Sequence, residues 1–225
     1  MKKILAINGS PRPAGNTVHL LQSFADGCRS SGCEPEIVAA HELQINACTG
    51  CLRCNILKRC SLREDDWEHL ATRVLEADVL VFATPVYFHH LPGTLKVILD
   101  RFRSFSHIQV SENGLIHTPH QKWDKDFVLI LSQGSPDPAD ARPIVDLFTY
   151  ICKIMGKGNQ LHVVPTTGLS LVHQVVKTEE ELGAAYRKLG LPERLVPEHH
   201  RQNRHFLDSA YALGESIANE NHNNY

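Results

Sequence analysis

Residues 3–17 read Lys3-Ile-Leu-Ala-Ile-Asn8-Gly9-Ser10-Pro11-Arg12-Pro13-Ala14-Gly15-Asn16-Thr17, and the fold turns on how that stretch is parsed. Lys3 to Asn8 is a brief apolar run ended by Gly9, the pattern of a buried strand. Thr17 to Arg29 sets Val18, Leu21, Phe24, Ala25 and Cys28 at helical spacing, with Asn16 or Thr17 as N-cap. The loop between them offers the hydroxyls of Ser10 and Thr17, the guanidinium of Arg12, and backbone amides freed by glycine. Such a loop at a helix N-terminus suits a phosphate dianion, and a merely tight turn would not need so many polar groups. In an open parallel sheet it also sits at the crevice beyond the carboxyl ends of the strands, where ligands bind. Two rival phosphate loops are excluded. There is no Gly-Lys-Ser/Thr of a P-loop nucleotide triphosphatase and no Gly-x-Gly-x-x-Gly of a dinucleotide fold.

Outward from that loop the pattern alternates. Residues 35–40 read as a weaker strand. Residues 65–76 read as a helix with Trp67, Leu70, Ala71, Val74 and Leu75 on one face and acids in its first turn. Val79 to Ala83 is a near-continuous hydrophobic run, as expected of a strand covered on both faces. A helix over 94–102 follows, then a strand over 127–131 that ends in the turn cluster Ser132-Gln133-Gly134-Ser135-Pro136. Helices over 144–155, 178–189 and 206–218, with a strand over 161–164, complete the series. The alternation argues for an α/β fold with a parallel sheet and helices on both faces. Residues 106–126 read as a long connection, 190–204 as a linker, and 219–225 as a polar, fraying tail.

The 225 residues suit one domain. Lys plus Arg number 23 and Asp plus Glu 25, a net charge of −2 that gives no footprint for nucleic acid. The 42% hydrophobic and 21% charged composition excludes wholesale disorder. No apolar run approaches a membrane span, and Ile4–Ile7 is too short for a signal-peptide core, so a cytoplasmic chain without membrane partners is expected.

Of seven cysteines, four fall in one window, Cys48-x2-Cys51-x2-Cys54-x5-Cys60. Such clustering in a reducing compartment points to metal or redox chemistry, not to disulfide staples. Iron–sulfur runs use similar spacing, although here the last gap is five and Ser61 stands where that run has proline. Zinc usually takes two separated pairs. Free thiols remain the alternative.

Gly9-Ser-Pro-Arg-x-x-Gly-Asn-Thr17, then Thr84-Pro-Val-Tyr-Phe88, then Leu95-Lys96…Asp100-Arg101 together resemble the flavodoxin-like NAD(P)H-dependent FMN reductases, and among them the iron–sulfur flavoproteins. The resemblance covers residues 1 to about 135. It implies a doubly wound, five-stranded parallel sheet in the order 2-1-3-4-5, with an FMN-binding domain over 1–190. Residues 191–225 would be a linker and an extra C-terminal helix packed on that domain. By position, Ser10, Arg12, Asn16 and Thr17 would hold the FMN phosphate. Pro85, Val86, Tyr87 and Phe88 would lie along the isoalloxazine, with backbone groups at its polar edge, and Ser132, Gln133 and Gly134 would form the third flavin loop. Cys48, Cys51, Cys54 and Cys60 would bind a [4Fe–4S] cluster.

The function so implied is an FMN-dependent oxidoreductase. It takes reducing equivalents from NAD(P)H, a transient co-substrate, or from a ferredoxin-like carrier, and passes them to a small-molecule or protein acceptor. A homodimer or homotetramer is implied as well. Two other classes compete: a flavodoxin-type electron carrier without turnover, and a thiol-based redox sensor with a structural flavin. His89 is a candidate proton donor beside the flavin, against the plainer reading of a solvent-facing histidine. Lys96 and Asp100 are spaced to pair along a helix, and Arg101 reads as packing or subunit contact. His199, His200 and His205 are too irregularly spaced for a metal site.

Overall fold

The structure, a computed structural model, describes residues 1–220. In chain order its elements are β1 (Ile4–Asn8), α1 (Asn16–Ser30), β2 (Glu36–Ala39), α2 (Cys54–Leu57), α3 (Trp67–Glu76), β3 (Val79–Pro85) and α4 (Gly93–Arg101). Then come β4 (Ser106–Ser111), β5 (Gly114–Pro119), β6 (Asp126–Ser132), α5 (Arg142–Met155), β7 (Gln160–Thr166), α6 (Glu179–Leu189) and α7 (Val196–Asn219). The five strands β2-β1-β3-β6-β7 form one sheet, all parallel. Counted along the sheet-forming strands this is the expected order 2-1-3-4-5, with its reversal between β1 and β3.

Period-two alternation in the central strands sorts their side chains between two cores. Leu5, Ile7, Leu80, Phe82, Phe127, Leu129 and Leu131 face α3, α4 and α5, where Phe82 lies 4.8 Å from Phe148. Ile4, Ala6, Val79, Val81, Ala83, Val128 and Ile130 face α1 and α7. The strands give the first core two phenylalanines, Phe82 and Phe127. Those they give the second are aliphatic, its phenylalanines Phe24 and Phe206 coming from α1 and α7, and these two helices lie close to each other. A Cβ on Gly27 would sit 2.0 Å from the Tyr211 carbonyl oxygen, and one on Gly214 2.0 Å from that of Phe24. The contact between α1 and α7 is therefore backbone against backbone and admits only glycine at both positions.

Three expectations need correction. Residues 106–126 are not a plain connection, because β4 and β5 pair antiparallel from Ser106↔Pro119 to Ser111↔Gly114. Gly114, at φ 112°, supports the tight turn after Asn113, the kind of turn that Asn-Gly favours. Residues 190–204 are not a linker throughout: α7 begins at Val196, with Pro197 in its first turn. Proline there breaks nothing, since a first-turn amide has no helical partner to lose. Finally, the N-cap of α1 is Gly15, not Asn16 or Thr17, and no side chain caps the helix. The expected fraying tail lies outside the described residues from 221 onward. Among the described residues no helix is long and apolar enough to cross a membrane.

Candidate cofactor crevice and cysteine pocket

The crevice is built at the carboxyl ends of β1, β3, β6 and β7. The β1 loop is seated first: the Gly9 amide donates to the Ala83 carbonyl at 2.7 Å, and a Cβ at Gly9 would meet Leu95 Cδ2 at 2.7 Å. Glycine is thus what lets the loop lie against β3. The Ser10 amide donates to Asn8 Oδ1 at 3.0 Å and the Arg12 amide to Ser10 Oγ at 3.2 Å, which folds the loop on itself. Ser10 and Thr17 are buried while Arg12 is exposed. With no side-chain cap, the amides of Asn16 and Thr17 have no hydrogen-bond partner among the described residues. Open first-turn donors, the positive end of the helix dipole and a free guanidinium make an anion site.

The Asn16 side chain is spent elsewhere. Its Nδ2 donates to the carbonyls of Leu169 at 3.3 Å and Leu171 at 2.8 Å, and its Oδ1 accepts from the Val175 amide at 3.1 Å. Only its backbone amide is left for a phosphate. What the side chain holds is a segment that sequence reading missed, residues 167–176 after β7. This strap is laced across the crevice: the Leu169 amide bonds to the Gln133 carbonyl, the Gly168 amide to that of Ser135, and Ser170 Oγ to that of Gly134. His173 Nδ1 lies 3.1 Å from His19 Nε2 on α1, and burial, followed by the neighbouring His173, lowers the His19 pKa. The strap carries no motif, and its contacts with Asn16 join residues more than 150 positions apart.

In the second loop, the Val86 amide donates to the Ser132 carbonyl at 3.0 Å, and Tyr87 and His90 exchange backbone hydrogen bonds at 2.9 and 3.0 Å. That closes a two-residue turn with Phe88 at φ 48° and His89 at φ 61°. Positive φ at both central positions is the primed hairpin geometry, which normally asks for Asn or Gly. Here it projects the Phe88 ring fully into solvent, while Pro85 is buried and Tyr87 is 40% exposed. The amides able to meet a ligand edge are therefore those of Phe88 and His89, unpartnered among the described residues, and not those of Val86 and Tyr87. His89 is largely exposed, its Nδ1 3.5 Å from Asp140 Oδ1.

The third loop is rigid. Gln133 Nε2 donates to the carbonyls of Ser135 at 3.1 Å and Asp137 at 2.6 Å. Its Oε1 is buried with no partner among the described residues. A buried orphan acceptor is costly unless something fills it, and a ligand hydroxyl or N–H would.

Cys48, Cys51, Cys54 and Cys60 line one cavity of about 160 Å³, together with Arg101, Arg103 and Ser104. They differ in state. Cys51 is exposed and its pKa falls to about 7, chiefly through the hydrogen bond with Ser61 at 3.4 Å. Cys54 is buried, which raises its pKa against the pull of Arg103, whose Nη1 lies 3.4 Å from its sulfur. Among the described residues no three His, Cys, Asp or Glu side chains lie close enough to share one metal ion. The four candidate ligands line one pocket but form no site for a single ion; a four-iron cluster would take one thiolate per iron. The donor chemistry, thiols beside guanidinium groups, suits an iron–sulfur cluster, but the placement of the sulfurs is open.

The loop is held from its ends. Arg101 Nη1 donates to Asp65 Oδ2 at 2.6 Å and to the Asn46 carbonyl at 2.7 Å, and its guanidinium lies 5.3 Å from the Trp67 ring. Both charged side chains are buried. Burial works against the Asp65 carboxylate, but Arg101 and the amides of Asn46 and Trp67 outweigh it and hold its pKa low. On the other side Asn55 Oδ1 accepts from the Ile108 amide at 3.0 Å and from Arg103 Nη2 at 2.8 Å, tying α2 to β4. Lys96 and Asp100 pair at 2.6 Å as their spacing suggested.

The chain is 34% identical over 101 residues to an iron–sulfur flavoprotein of Methanocaldococcus jannaschii, an alignment covering 45% of this chain and 52% of that protein. It is 39% identical over 101 residues to one of Archaeoglobus fulgidus, covering 45% of this chain and 49% of the relative. The chain thus spans about half the length of these curated relatives. Among solved structures, azoreductase AzrA superposes with a TM-score of 0.64 at 14% identity, covering 95% of this chain and 99% of that one. An FMN-dependent NADH-azoreductase of Bacillus anthracis in complex with FMN gives 0.60 at 14% identity, covering 94% and 99%. These two likenesses show the shared fold. The model of NADPH-dependent FMN reductases matches residues 2–142, more than half the sequence, and that span holds the first three crevice loops and the cysteine pocket. On that match the chain belongs to the NADPH-dependent FMN reductase family.

Proposed function

We propose that the chain is an FMN-dependent oxidoreductase that draws on NAD(P)H and reduces an acceptor at the crevice. The observation that carries this reading is the uncapped N-terminus of α1, with the exposed Arg12 in the loop before it, at the carboxyl end of β1. When bound there, FMN supplies hydride acceptance and the change between two-electron and one-electron chemistry. Arg12 and the Asn16 and Thr17 amides would hold the phosphate, with the Ser10 and Thr17 hydroxyls in the same loop. Gln133 Oε1, buried without a partner, would be available to accept from a ligand hydroxyl. The Phe88 and His89 amides donate at the polar edge of the ring system, and the exposed Phe88 ring offers an apolar surface on which a flat ring can rest.

We extend the proposal to the cysteine pocket, where Cys48, Cys51, Cys54 and Cys60 would hold a [4Fe–4S] cluster. The support is that all four thiols share one cavity with Arg101 and Arg103, cations that favour thiolates. A visible spectrum and iron assay of anaerobically purified protein, before and after NADPH, tests both parts. The expected result is one flavin per chain bleached by NADPH and about four irons per chain. Full flavin without iron would retain the oxidoreductase and remove the cluster. Colourless protein that takes up no FMN would remove both.

A further inference from the structure

We propose that His19 and His173 form a two-histidine site for a late transition-metal cation, which clips the strap over residues 167–176 onto α1. His19 Nε2 and His173 Nδ1 lie 3.1 Å apart, although 154 positions separate them in the chain. With metal–nitrogen bonds of about 2.0–2.1 Å, two imidazole nitrogens on one cation stand about 2.8–3.0 Å apart at a right angle and about 3.3–3.4 Å apart in a tetrahedron. The observed separation falls between those spans, so a cation fits with a shift of about 0.3 Å or less. The rings are tilted by 53° and not stacked, so it is nitrogen that faces nitrogen.

Both ligands are placed in advance. His173 has φ 57° and ψ 18°, a left-handed backbone that residues with a Cβ rarely adopt, and this turn brings its ring to α1. The next residue fixes the turn: Gln174 Nε2 donates to the Gly168 carbonyl at 2.8 Å, and its Oε1 accepts from the Leu171 amide at 3.0 Å. Asn203 on α7 holds the Gln174 carbonyl at 3.0 Å. Burial keeps the His19 ring in the unprotonated form that a metal takes, and the Ala14 carbonyl accepts from that ring as the outer partner of a ligating histidine does. Both histidines are half-buried, so water reaches the remaining coordination positions. Among the described residues no third His, Cys, Asp or Glu joins the pair, which makes this an open site. Two imidazoles favour nickel, copper or zinc over magnesium or calcium, which want oxygen ligands. A clip here slows release of whatever the crevice holds. That consequence rests on the flavin reading above, whereas the metal site itself does not.

The test adds Ni²⁺ to the full chain loaded with FMN, because zinc would be drawn to the cysteine pocket as well. At about a tenfold excess over the dissociation constant, the melting temperature should rise by about 3–5 °C and FMN release should slow about tenfold. His19→Gln and His173→Asn should each abolish both effects, asparagine being chosen because it tolerates the left-handed backbone. His200→Gln should abolish neither. In the wild type, Ni²⁺ should also shield His19 and His173 from diethyl pyrocarbonate, read by mass spectrometry, a measurement that needs no variant. Equal nickel effects in the wild type and the two variants, no shielding of the pair, or a melting shift with FMN release unchanged would each overturn the proposal. A chain that takes up no FMN yet shows the shielding would retain the metal site and remove the flavin reading.

Discussion

The phosphate loop and the cysteine loop are both irregular segments between a strand and a helix, yet they are anchored in opposite ways. The first is pinned by the sheet itself: Gly9 bonds to β3, Asn8 closes the turn, and the strap across the crevice locks onto Asn16. The second crosses no strand. It hangs from one buried ion pair, Asp65–Arg101, and from the Asn55 contacts with the β4–β5 hairpin. The loop after β1 therefore inherits its placement from the core. The cysteine pocket depends on a few polar contacts.

The largest effect expected from breaking this contrast is at Arg101. Arg101→Ala leaves Asp65 buried and unpaired, which costs about 3–5 kcal/mol in chemical denaturation. Cys54 and Cys60 should then react with a thiol reagent far faster, because the loop has lost its main anchor. Next is Gly214→Ala, which forces a methyl into the Phe24 carbonyl and costs about 1–3 kcal/mol, yet leaves cysteine reactivity unchanged. If both substitutions opened the pocket equally, the two regions would not be independently anchored.

Arg12→Ala sharpens the comparison from the other side. The side chain is exposed, so stability should hold, while loss of a charge-assisted contact weakens FMN binding by about tenfold to a hundredfold in a fluorescence titration. The smallest effect concerns His162, far from both loops in chain terms. Its hydrogen bond to Asp126 raises its pKa above 6.5, so its protonated form is favoured by folding. That contribution is fully present below about 6.5 and is lost as pH rises through the folded-state value. Folding stability of His162→Gln relative to wild type, followed by denaturation across pH, should therefore recover as pH rises. A flat difference would contradict the assignment.

The parallel sheet and the polar loop after β1 were legible because they rest on local signals, apolar runs at β3 and β6 and glycine and hydroxyl residues just after β1, whereas the strand order came from the resemblance to a known family. The hairpin left one cue, Asn113-Gly114, inside a stretch otherwise read as connection. The Asp65–Arg101 pair was hidden by two locally sufficient explanations, an acid near a helix start and a cation on a helix. The strap was not legible at all. Asn16 looked like a phosphate ligand because its position suits one, and nothing near it in the chain shows that its amide is committed to Leu169, Leu171 and Val175.

The account stands on an anion site at the start of α1, and a paired titration of apo-protein with FMN and riboflavin addresses it directly. FMN should bind one per chain, and riboflavin, which lacks only the phosphate, about a hundredfold more weakly, with Arg12→Ala removing most of that difference. Equal affinity for the two flavins, or binding of neither, would contradict it.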